Sequence, residues 1–278
     1  MRKGFPLAGL ALLAAALVPG AAVAATVTSP DGVFRYRAQP GESIKAELGL
    51  SPQGAGRAAT HFRTATFTTP SPQLGAGCEA GPDLYGLDAL CTLSGWPPRY
   101  RASLSDRDDT FEVLSERLVG VTYAGAGSDA VTADTVFGGR GQDFLYGQNV
   151  YGGPGDDVLG SEDPRGLRRL RGGPGDDSLV GPGWLYGGPG ADELEEDASV
   201  RAPGPEMMVG GPGPDSVTLD SYYPRRTVVR LRGGGADSIV CDRPPDRIDV
   251  LFVDSSDDID PACHTALVRL TGRPRIVR

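Results

Sequence analysis

Histidine is almost missing: His61 and His264 are the only two in 278 residues. With so few, and with no His-Glu-x-x-His, the sequence has no zinc-hydrolase signature, and no Gly-x-Ser-x-Gly marks a serine-hydrolase elbow. Lysine is confined to Lys3 and Lys45, and the net charge is −9. A nucleic-acid binder would want a basic face, so that class is excluded. Long apolar runs are missing apart from Leu7–Val18, which is shorter than the about 20 residues of a bilayer-spanning helix. That run follows Arg2 and Lys3 and leads into Pro19-Gly20 and Ala22-Val23-Ala24. Residues 1–25 therefore read as a secretory signal peptide, and the rest as an exported protein with no membrane span.

Cysteine is scarce but even in number: Cys78, Cys91, Cys241 and Cys263. No Cys-x-x-Cys suggests a metal site, and outside the cell four cysteines imply disulfides with three connectivities open. Neighbour pairing, Cys78–Cys91 and Cys241–Cys263, is expected because each pair brackets one edge of the repeats described next.

What the chain has in excess is glycine, 41 residues, and proline, 24. Such a composition also fits low-complexity disorder, but here it is ordered into a motif. Gly-Gly-x-Gly-x-Asp stands complete at Gly138–Asp143, Gly152–Asp157, Gly172–Asp177, Gly187–Asp192 and Gly210–Asp215. Degenerate copies flank these at Ala124–Asp129 and Arg232–Asp237, the second reading as one residue short. Two residues after each Asp comes Val131, Leu145, Leu159, Leu179, Leu194, Val217 or Ile239. Two residues before each loop comes Thr122, Val136, Val150, Leu170, Leu185, Met208 or Leu231. This second periodicity was not used to define the motif, and only Thr122 is polar in it. A disordered chain would not show it.

Each coil thus reads as a six-residue loop, a short strand, an opposite turn and a second short strand, which predicts an all-β, parallel β-roll or β-solenoid. The closing aspartates are separated by 14, 14, 20, 15, 23 and 22 residues. Insertions therefore fall on the opposite edge, as at Ser161–Arg168 and Gly181–Gly183, while the loop edge stays constant. Arg169, Arg171, Arg230 and Arg232 flank inward apolar residues and should form a solvated face.

Stacked strands lie about 4.8 Å apart, and calcium–oxygen bonds run about 2.3–2.6 Å. A cation midway between consecutive aspartates fits that interval, and seven loops leave at most six gaps. Without it, carboxylates about 5 Å apart repel by roughly 0.8 kcal/mol at water's dielectric and about 3 kcal/mol at an effective value of 20. The loops offer only hard oxygens, which favours calcium over zinc or magnesium. Nine loop carboxylates (Asp129, Asp143, Asp156, Asp157, Asp176, Asp177, Asp192, Asp215 and Asp237) account for the acidity of the whole chain.

The stretches GGRGQDFLY, GGPGDDVLG, GGPGDDSLV, GGPGADELE and GGPGPDSVT resemble the hemolysin-type calcium-binding repeat, the RTX β-roll, over about residues 124–240. The resemblance implies calcium between successive turns, held by loop aspartates and main-chain carbonyls. Carried over residue by residue, the ligands are Asp129, Asp143, Asp157, Asp177, Asp192, Asp215 and Asp237, with Asp156 and Asp176 as helpers. The family repeats every nine residues and loads both edges of the roll; here one edge lacks the motif, so calcium is expected on one edge only. The sites next to Asp129 and Asp237 should be the weakest. Leu104–Phe111 reads as an eroded eighth loop closing at Asp109, with Phe111 in the core and weak binding.

Residues 26–103 alternate as at Val33–Ala38 and His61–Phe67, and read as a small β cap stapled by Cys78–Cys91. The Asp31–Glu42 stretch followed by a cysteine pair is similar to the leader of secreted actinobacterial calcium-binding roll proteins. The roll then runs over 104–240 and a C-terminal cap over 241–278. The expected function is a secreted, non-catalytic calcium-binding β-roll protein. Alternatives are an adhesin binding a cell-surface polymer or protein partner, and an RTX-type exported hydrolase. For the adhesin, Tyr222, Tyr223, Trp184 and Tyr186 could make contacts, although core or rim packing is the plainer expectation for them. For the hydrolase, His61 is the one candidate base in the front module, and a strand residue is the plainer reading.

Overall fold

The computed structural model describes residues 25–52, 58–64, 73–80, 89–161, 168–197, 206–219, 227–241, 247–265 and 268–270. Residues 1–24 of the expected signal peptide, Tyr222, Tyr223, the His61 side chain and the insertions at 162–167, 198–205 and 220–226 lie outside them. Among the described residues there are strands and turns and no helix.

The repeat strands are short because a single inward side chain per strand is enough to build the core. Val158–Gly160, Arg169–Arg171, Ser178–Val180, Trp184–Tyr186 and Glu193–Glu195 each bury only their middle residue. Side chains alternate across a strand, so both neighbours of that residue face solvent. Every such strand pairs in parallel with its counterpart one coil on. Ahead of the loops, Thr122, Val136, Val150, Leu170, Leu185 and Met208 oppose one another in register. After the loops, Val131, Leu145, Leu159, Leu179, Leu194, Val217 and Ile239 do the same. All thirteen are buried, each leucine contributing roughly 1.5–3 kcal/mol by leaving water. The result is an all-β, parallel β-roll with a core only two side chains thick.

One detail differs from the sequence pattern. Met208 opposes Val229 rather than Leu231, and Leu231 is buried two residues further on. The run from Arg230 to Asp237 is one residue longer than that from its ladder partner Val209 to Asp215. The last loop therefore carries an extra residue where the motif suggested a missing one.

The parallel ladders continue past the repeats. Arg99–Ser105 pairs with Val119–Ala126 and with Val33–Arg37, and Thr110–Val113 pairs with Ala130–Arg140 and with Lys45–Pro52. Antiparallel pairing among the described residues belongs to the N-terminal part, where Lys45–Pro52, Ala58–Thr64 and Ala89–Leu93 lie side by side. There Phe34, Tyr36 and Phe62 pack with ring centroids 4.8–5.4 Å apart. Cys78 faces Cys91 across an antiparallel pair and is bonded to it. At the other end Arg247–Val253 adds a parallel strand to Thr227–Leu231, and Cys241 is bonded to Cys263. Both disulfides follow the neighbour pairing expected from the sequence.

Candidate metal seam

The loops close through glycines at two places. Gly153 and Gly155 have φ of 124° and 141°, values an L side chain rarely adopts. A Cβ at either would also strike the carbonyl oxygen of Gly139 or Gly141 one coil back. The first glycine is needed for a different reason. A Cβ on Gly152 would land on Oδ2 of Asp157, the closing residue of its own loop, and near the carbonyl oxygen of Gly172 one coil on. The third-place prolines join the coil-to-coil bonding through their carbonyls: those of Pro154, Pro174, Pro189 and Pro212 accept from Gly141, Gly155, Gly175 and Gly190 at 2.9–3.0 Å.

These loops bring the seven predicted aspartates into one file. Asp129 donates its N–H to Asp143 Oδ1, Asp143 to Asp157 and Asp157 to Asp177, each at 2.9 Å. Asp177 donates to Asp192 at 3.0 Å, Asp192 to Asp215 at 3.1 Å and Asp215 to Asp237 at 2.8 Å. Each carboxylate thus reaches back to the coil before it, and the interval between consecutive acids is bridged by a main-chain hydrogen bond. The interval that the stacking distance sizes for an ion is thus occupied by a hydrogen bond.

The other oxygen is different. Oδ2 of Asp129, Asp143, Asp157, Asp177, Asp192, Asp215 and Asp237 is buried with no hydrogen-bond partner, and so is Oδ2 of Asp109. Burial without water disfavours the charged form. It pushes Asp157, Asp177, Asp215 and Asp109 up to about 7 and Asp129 and Asp192 up to about 6, against the N–H each carboxylate receives. Neighbouring carboxylates add to the rise at Asp157, Asp177 and Asp215. Asp143 and Asp237 are raised by burial as well.

Asp156 and Asp176 stand outside this file. Both are exposed, and each uses Oδ1 to accept an N–H from the next coil: Asp176 N–H at 3.0 Å and Ala191 N–H at 2.7 Å. They form a second rim pointing the opposite way along the roll. Among the described residues no three His, Cys, Asp or Glu side chains converge on one point. A cation on the seam would therefore need main-chain carbonyls to complete its shell. That donor set, buried carboxylate oxygens beside carbonyls and no nitrogen or sulfur, fits a hard cation.

Residues 131–159 match the family model of the RTX calcium-binding nonapeptide repeat, described as four copies. This stretch of the chain is an RTX calcium-binding repeat. RTX repeats bind calcium, so the chain is a calcium-binding β-roll protein. No match is found among curated proteins or among solved structures. The matched residues include only the first two complete loops, yet the RTX geometry persists through Asp177, Asp192 and Asp215 with the same glycine contacts and the same seam bond.

The seam is also longer than the motif. Asp109 donates its N–H to Asp129 Oδ1 at 2.8 Å and takes one from Ile44 at 2.6 Å, and Phe111 is fully buried behind it. Beyond Asp237 the file ends at Asp257, whose Oδ1 accepts the Asp237 N–H at 3.2 Å. Asp257 lies in no glycine-rich loop and was missed from the sequence. Its signal was the seam's own spacing, 20 residues after Asp237 with Ile259 two residues further, pairing in register with Ile239.

Proposed function

We propose that this is a secreted, non-catalytic calcium-binding protein in which ion binding is coupled to folding of the roll. The observation that carries the reading is the row of eight buried Oδ2 atoms without a partner. A buried carboxylate oxygen left unpaired costs free energy, and a divalent cation supplies the charge such oxygens lack. Asp129, Asp143, Asp157, Asp177, Asp192, Asp215 and Asp237 are the carboxylate ligands in this reading, joined by Asp109, with Asp156 and Asp176 assisting from the rim. Backbone carbonyls of the loops complete the shell. Export is supported by the two disulfides and by the charged, then apolar, N-terminal stretch. Residues 26–103 and 241–278 close the two ends of the 104–240 roll, whose core would otherwise be open to water.

Calorimetric titration with calcium tests the reading. Saturable binding in the roughly 0.1–1 mM range of extracellular modules is expected, with a chelator removing most of the β-type circular dichroism and calcium restoring it. Heat-silent titration, or a spectrum indifferent to chelator, would sink it.

A further inference from the structure

The two outer faces of the roll differ in charge. On the face after the loops the outward positions include Glu47, Glu112, Glu193 and Glu195. On the face ahead of the loops, the two outward columns run in register from Arg35 and Arg37 to Phe252 with no carboxylate in either. Arginines and aromatic rings replace them. Apart from Arg35, which is ion-paired with Asp31 beside the first column, a protein of net charge −9 thus keeps one arginine-bearing strip with no carboxylate in its two columns.

Near the middle of that strip lies a depression of about 350 Å³ lined by Tyr151, Arg169, Arg171, Trp184 and Tyr186. Arg169 and Arg171 are exposed and neither has an ion-pair partner among the described residues. The Arg169 guanidinium lies over the Trp184 ring, 4.9 Å from its centroid. On one side Tyr123, Phe137 and Tyr151 stack at 5.2 and 4.6 Å with planes within 9°, so these rings cover one another's faces.

We propose that this strip binds an acidic polysaccharide, with the depression taking one uronate unit. A planar guanidinium matches a carboxylate bidentately, and the volume is at the small end of ligand sites. Tyr151 and Tyr186 bring phenol hydroxyls and Trp184 an indole N–H to the lining, donors suited to a hydroxyl-rich ring. Single-stranded nucleic acid needs bare ring faces for its bases, whereas Phe137 is stacked between Tyr123 and Tyr151 and Trp184 lies under Arg169. Coils advance about 4.8 Å, comparable to one sugar unit, so a linear chain along the axis would continue toward Arg101 on one side and Arg230 on the other.

The test is fluorescence titration of a Trp96→Phe variant, in which Trp184 is the remaining tryptophan, with tetragalacturonate in calcium-containing buffer. A saturable change is expected, about tenfold weaker with the methyl-esterified tetramer and about tenfold weaker in Arg171→Ala, with circular dichroism unchanged. Arg171→Gln, which keeps most of the side-chain stem, should show the same loss, and Arg117→Ala, an exposed residue off this face, should show none. Equal binding of acid and ester, indifference to both Arg171 variants, absence of a saturable change, or tighter binding of oligothymidylate or a sulfated tetrasaccharide would each overturn the proposal.

Discussion

The two oxygens of the Asp177 carboxyl group stand in different surroundings. Its Oδ1 accepts the Asp157 N–H at 2.9 Å while its Oδ2 is buried without a partner. The two oxygens can be separated by substitution. Asp177→Asn keeps an acceptor for the main chain and removes the charge; Asp177→Ala removes both. In chelator, Asp177→Ala should lose about 1–3 kcal/mol because a buried N–H is left unpaired, whereas Asp177→Asn should be as stable as the parent or more so. In calcium both should lose stabilisation relative to the parent. Denaturant melts of the three proteins, with and without calcium, decide the point, and a loss for Asp177→Asn in chelator would show that the charge itself is not a burden. Asp129, expected from the motif to stand at an end, has seam partners on both sides. Asp129→Ala should accordingly cost about as much as Asp177→Ala in chelator.

At the scale of the element, the coil is a contest between backbone closeness and side-chain bulk. Gly153 sits at φ of 124° with the Gly139 carbonyl where a Cβ would go, while Gly95, at φ of 84°, has open space around it. Gly153→Ala should therefore destabilise the roll by several kcal/mol, combining strain with a clash against backbone. Gly95→Ala should cost only about 1–2 kcal/mol, the left-handed penalty alone. Thermal melts of both variants in calcium would show the difference; equal losses would mean the loop stack yields more readily than its packing implies. This contest explains what was legible beforehand. Glycines forced by positive φ and close approach leave a fixed six-residue signature, so the loops, the inward ladders and seven seam aspartates could be read directly. Asp109 and Asp257 hold seam positions without glycines, and the signature passes over them. The arginine-bearing face was hidden for another reason. Tyr151, Arg171 and Tyr186 are register neighbours, but opposite turns of unequal length place them at unequal intervals along the chain. Trp184 and Tyr186, for which core or rim packing was the plainer expectation, flank the inward Leu185 and so lie half-buried on the outer face.

For the whole molecule, the decisive quantity is the charge stored along one edge. The seam aspartates have their ordinary value of 3.8 raised, to about 7 at Asp109, Asp157, Asp177 and Asp215 and about 6 at Asp129 and Asp192, because burial penalises the ionised form. A carboxyl whose folded value exceeds its unfolded value binds its proton more tightly when folded. Its contribution is fully present below about pH 4 and is lost as the pH rises through 6–7. The metal-free roll should therefore be more stable at pH 5 than at pH 8, the reverse of a protein held by ionised salt bridges. Calcium displaces those protons, so its stabilising effect should grow over the same interval and be greatest at pH 8, where the metal-free roll is weakest. Melting temperatures in chelator and in calcium, taken at half-unit steps from pH 4.5 to 8, would trace two curves that diverge as the pH rises. Parallel curves would mean that protons and calcium do not compete for the same oxygens, and the seam would then not be where the ions sit.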